Sequence, residues 1–239
     1  FARAWSRLAS VLVVSSNVKL EETDALLDAG IAAARRAIAM DPTLGEPHAA
    51  LGRALGQRWQ HAEALAANEQ AVALDPGDVN SQFWLAVGLI NTGYRRQGIA
   101  ALDAALVLDP MLPNALFWRG REYVQAGDIE NGARLLKLAE EGGHRFVGMQ
   151  LSRVYEARGD LAAAEAATTA GLAYFSGAFA PEAAAVFTRG IYGDAPDRAK
   201  ALALLEAYVA TRPKTLPGVV PYLFLRLGEF QRGLEVAAR

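Results

Sequence analysis

Residues 79–112 read VNSQFWLAVGLINTGYRRQGIAALDAALVLDPML. They fall into two halves around Gly93. In the first, Leu85 and Leu89 are large and apolar and Ala86 lies between them; in the second, Ile99, Leu102, Leu106 and Leu108 are apolar, with Gly98 and Ala105 small. Spacings of three and four put each set on one face of a helix. The small positions mark where two backbones must approach closely. Asp109-Pro110 closes the stretch: proline lacks an N–H and pushes the residue before it out of helical conformation. Outward from here, Asp-Pro recurs at 41–42 and 75–76, so the three pairs stand 34 residues apart twice over.

The flanking stretches follow the same plan. Residues 45–78 carry Leu51, Gly52, Leu55, Ala64, Leu65, Ala71, Val72 and Leu74 at matching places. Residues 113–144 carry Leu116, Gly120, Tyr123, Gly127-Asp128, Gly132, Leu136 and Ala139, with Gly142-Gly143 as the helix stop in place of Asp-Pro. The repeat predicts units at about 2–44, 45–78, 79–112, 113–144, 145–178 and 182–215, and a partial unit at 216–239. Together they form one solenoid over 1–239 in which each unit covers its neighbour's apolar face. The first unit has a long linker, 15–23, before a helix over 25–40. The sixth ends near Pro213.

These residues resemble the tetratricopeptide repeat family, strongly over 25–140 and more weakly towards the end. The resemblance implies an all-α fold, with helix-turn-helix repeats stacked in a right-handed superhelical solenoid and first helices lining a concave groove. The opening stretch, Phe1-Ala2-Arg3-Ala4-Trp5 with its linker and Ala-rich helix, is similar to the tetratricopeptide regions of bacterial winged-helix regulators and class III adenylate cyclases. That implies a signalling role inside a larger bacterial protein. The chain begins at Phe1, which suits a segment of a longer one.

Composition narrows the function. Hydrophobic residues make up 52 % and the net charge is −2, so no basic nucleic-acid surface is expected. With no cysteine, disulfides and thiol chemistry are excluded. Apolar runs such as 8–14, with one Ser, are far short of the ~20 residues of a membrane span. The expected compartment is the cytoplasm, although absent cysteine suits the periplasm equally. His48, His61 and His144 fall at unrelated repeat positions, none with a second ligand three or four residues further along the same helix, so neither metal nor cofactor is expected. Ser15, Ser16 and Ser152 have no assignable base, and Gly142-Gly143 lacks the lysine of a phosphate loop. The chain reads as a non-catalytic protein-binding scaffold, not an enzyme.

The resemblance also places the binding wall at first-helix positions 2, 5, 9, 12 and 13. The candidate partner-binding residues are then Arg53, Gln57, Asn80, Phe83, Asn91, Asn114, Phe117, Arg121, Gln125, Met149 and Arg153. Arg53, Arg121 and Arg153 share position 9, and guanidinium groups there suit carboxylates. Phe83, Phe117 and Met149 share position 5 and offer apolar contact. A protein or peptide with acidic and apolar side chains is the expected partner. A structural role is the competing expectation: the arginines pair with Glu46, Glu122 or Glu156, and the aromatics pack on the next unit. Ala49 and Arg53 stand where the family's chaperone-binding members have Lys and Asn, which argues against chaperone tails. Two further readings are self-association, with a second copy as the partner, and a helper region for a catalytic domain elsewhere.

Overall fold

A computed structural model of the chain describes residues 1–16, 22–173, 182–211 and 219–238. Pro213 and most of the 15–23 linker lie outside the described residues. Fourteen α-helices occur among them and no strand. They are α1 (Ala2–Ser15), α2 (Thr23–Met40), α3 (Gly45–Gln57), α4 (His61–Leu74), α5 (Val79–Asn91), α6 (Arg95–Leu108), α7 (Pro113–Gln125) and α8 (Ile129–Glu141). After a 3-10 turn at Arg145–Val147 follow α9 (Gly148–Ala157), α10 (Leu161–Ala173), α11 (Ala183–Tyr192), α12 (Ala195–Thr211), α13 (Val219–Arg226) and α14 (Phe230–Ala237).

The Asp-Pro pairs act alike at all three places. Asp41, Asp75 and Asp109 each donate their N–H to the carbonyl four residues back (Ala37, Ala71 and Ala105) at 2.9 Å. Their ψ angles are 94°, 84° and 96°. The aspartate closes the last helical turn and then turns extended, as the following proline demands. The small positions are buried crossings: Ala86 and Ala105 are wholly buried, and a Cβ added to Gly98 would lie 2.6 Å from Ile90 Cγ1. Sequential helices pack as pairs, α1 on α2, α3 on α4 and α5 on α6, and again α9 on α10, α11 on α12 and α13 on α14.

Contacts divide the chain into two compact units, Phe1–Glu122 and Tyr123–Arg239, with the division inside α7. In the first, one interior cluster joins Phe83, Ala86, Val87, Ala101, Leu102, Ala105 and Ala115 across successive repeats. In the second, Phe187, Leu205, Leu223 and Phe224 are fully buried in a larger cluster. A turn arginine recurs in both units. Arg58 donates to Asp28 Oδ1 at 2.6 Å, and Arg158 donates to Glu130 Oε2 at 2.7 Å. Each ties the turn after a first helix to the preceding repeat's second helix.

Candidate partner-binding surface

The three arginines of position 9 meet three different fates. In the first unit, the Arg53 guanidinium lies over the Trp84 ring at 4.7 Å. Its Nε is buried without a hydrogen bond, and among the described residues it makes no ion pair. Burial lowers its pKa from the ordinary arginine value, so its charge is poorly solvated. Glu46, its expected partner, pairs with Arg7 instead, at 3.1 Å. Arg121 is committed to its own chain: it stacks on Trp118 at 3.8 Å and pairs with Glu122 at 3.1 Å. Glu122 is 1 % exposed and also holds Arg95 of α6, so it is a buried anion neutralised by two cations. In the second unit, Arg153 is exposed and makes no ion pair among the described residues. Glu156, its expected partner, is taken elsewhere.

At position 5, Phe83 and Met149 follow the structural expectation and not the binding one. Phe83 is only 3 % exposed and sits in the interior cluster with Ala115 of the next repeat. Met149 packs against the interior of the second unit, its Cγ close against Gly171. Position 5 lies where a first helix meets its neighbour, so its side chain fills that junction; Phe83 and Met149 are corrected to packing residues. Phe117 is half-buried. Asn80, Asn91, Asn114 and Gln125 are exposed, whereas Gln57 Oε1 accepts a hydrogen bond from Ser16 at 3.0 Å. Around Arg53 the first unit therefore brings together a cation and the Trp84 ring, while Gln57, one turn on in α3, is engaged by Ser16.

A polar knot on the first helices of the second unit was not foreseen. Arg226 of α13 donates to Glu156 Oε1 of α9 at 2.5 Å and to the Tyr222 hydroxyl at 2.8 Å. Tyr192 of α11 donates to the same carboxylate oxygen at 2.5 Å and lies 2.9 Å from the Thr168 hydroxyl of α10. Burial and the adjoining carboxylate raise the Tyr192 pKa, so the phenol stays protonated and donates. Glu156, Tyr192 and Tyr222 are legible as repeat positions, but their meeting joins residues up to 70 apart. No local spacing encodes that.

The histidines are scattered. His48 lines an open groove of about 570 Å³ with Ile38, Leu51 and Leu55. His61 meets Trp59 edge-on, and His144 lines a hollow of about 380 Å³ beside Gly143 and Gly171. No cluster of His, Asp and Glu among the described residues could hold a metal ion. No described helix is long and apolar enough to cross a membrane.

These features place the chain among tetratricopeptide-type helical repeat folds. It is similar to the solved structure of pilF from Pseudomonas aeruginosa, at 14 % identity and a TM-score of 0.59, covering 96 % of this chain and 99 % of that one. Against TTC0263, a thermophilic TPR protein of Thermus thermophilus, the figures are 21 % and 0.57, with 86 % and 99 % covered. Against the APC/C hetero-tetramer Cut9-Hcn1 they are 16 % and 0.68, covering 95 % of this chain but 43 % of that one. No protein-family model and no curated protein matches the chain. At such identities the likeness establishes the fold alone.

Proposed function

We infer that the chain is a non-catalytic protein-interaction module whose first unit receives an acidic, partly apolar peptide segment on the first-helix wall. One observation carries this reading: Arg53 is a desolvated cation, placed over the Trp84 ring, with no carboxylate among the described residues to answer it. A carboxylate arriving there gains a charge-assisted bidentate bond to a guanidinium already oriented by the indole. Asn80 and Asn91, exposed near the two ends of α5, offer further polar groups on the first helix that carries Trp84. A pull-down comparing wild type with Arg53→Ala tests the assignment. Loss of a partner with acidic segments supports it; identical captures overturn it.

Self-association is the second reading. What favours it is Phe230 and Leu234, one helical turn apart on α14 and 65 % and 64 % exposed. Light scattering at two concentrations separates the readings, since a strict monomer leaves only the heterologous partner. The setting within a larger bacterial regulator rests on the resemblance of residues 1–44 alone; the gene around this segment tests it.

A further inference from the structure

Trp59 departs from the ending that four other first helices share; α11 ends differently, at an extended Gly193 with φ of −89°. Gly93, Gly127, Gly159 and Gly228 each follow a first helix, with φ of 91°, 85°, 74° and 88°. Each donates its N–H to the carbonyl three residues back, and the next residue donates to the carbonyl five back. This is the left-handed glycine ending of a helix. In the α3–α4 turn the place belongs to Trp59. Its N–H bonds to Gly56 O at 3.1 Å, Gln60 N–H bonds to Leu55 O at 3.0 Å, and φ is 60°. It is the one non-glycine residue with positive φ among those described. A bulky side chain there is strained, and glycine would serve the backbone better.

Packing does not explain the residue either. The tryptophan is 78 % exposed, and its ring meets the edge of His61, with centroids 5.6 Å apart. A strained backbone that holds a large aromatic in solvent points to a contact outside the chain.

We propose that the α3–α4 turn is a second docking surface, separate from the Arg53 wall, on which the Trp59 indole receives a lysine or arginine side chain from a basic protein segment. The surrounding charges choose the sign. Arg58, next in the chain, is already held by Asp28 at 2.6 Å and Asp24 at 3.7 Å. Both aspartates are more than two-thirds exposed. Glu63, four residues after Trp59 in α4, is exposed and makes no ion pair among the described residues, although it lines a groove with Arg35 of α2. Asp24 and Asp28 together face the single guanidinium of Arg58, the residue bonded to Trp59, so the turn carries one carboxylate in excess. A basic side chain gains the ring face and the uncompensated carboxylate together. An acidic segment is repelled, which is the reverse of the selection made by Arg53.

The test uses fluorescence anisotropy with two labelled peptides, one of repeating Arg-Ser and one of repeating Glu-Ser, at physiological salt. The arginine peptide should bind and the glutamate peptide should not. Trp59→Gly should weaken binding about fivefold or more, Glu63→Gln about twofold, and Arg53→Ala not at all. Trp59→Gly should melt at the wild-type temperature or above it, because glycine relieves the left-handed backbone. No binding of the arginine peptide overturns the proposal. So does equal binding of the glutamate peptide, unchanged affinity in Trp59→Gly, or a clear fall in its melting temperature, which would make Trp59 a structural residue. A loss in Arg53→Ala would deny that the two surfaces are separate. The Arg53 wall can fail its own pull-down without touching these outcomes.

Discussion

Two arginines on first helices, Arg53 in the first unit and Arg226 in the second, stand in contrasting company. Both lie near aromatic rings. Arg226 answers to Glu156, Tyr192 and Tyr222, so its charge is satisfied within the chain and it braces α9, α11 and α13. Arg53 has a ring and, among the described residues, no anion. The same residue type is a strut in one place and, in the function proposed above, a binding group in the other. What separates them is whether a carboxylate from a distant helix reaches the guanidinium.

The contrast breaks most visibly at the strut. Arg226→Ala leaves Glu156 half-buried without its cation and should cost about 3 kcal/mol in urea denaturation. A double-mutant cycle with Glu156→Ala should show coupling of about 1 kcal/mol or more. Strict additivity would mean that the two residues act independently. Packing comes next. Ala105→Leu, at a fully buried crossing of the first unit, should cost about 2 kcal/mol by overpacking. An unchanged melting temperature would put Ala105 away from a tight crossing.

Acid gives a smaller effect, in the second unit. Burial lowers the His144 pKa from 6.5 to about 4, partly opposed by a backbone hydrogen bond. The folded chain therefore favours the neutral ring. Its contribution is complete above pH 6.5 and is lost as the pH falls towards 4, by about 1 kcal/mol once partial exposure is allowed for. His144→Asn should flatten that part of the stability–pH curve, and an identical slope in the variant would assign it to other groups. The smallest effect sharpens the contrast. Arg53→Ala should change stability by only about 0.5 kcal/mol, since no ion pair is broken, and on the proposed function it should also abolish capture of an acidic partner. A loss as large as that of Arg226→Ala would make Arg53 a strut too.

The sequence alone determined the helices and their pairing, because those depend on local chemistry. Asp-Pro stops a helix wherever it stands, apolar residues at spacings of three and four build a helical face, and small residues such as Ala86 and Ala105 admit a neighbouring backbone. It also pointed to position 9 as the place to look for arginines. Only the tertiary structure decided what each arginine does. Arg121 falls to the buried Glu122, Glu46 goes to Arg7, and Glu156 goes to Arg226, 70 residues away, leaving Arg53 and Arg153 without carboxylates among the described residues. It likewise turned Phe83 and Met149 inward and exposed Trp59 in a glycine's conformation. Charge pairing and exposure depend on which helices meet in space, and a 34-residue repeat supplies several equivalent candidates for every such meeting.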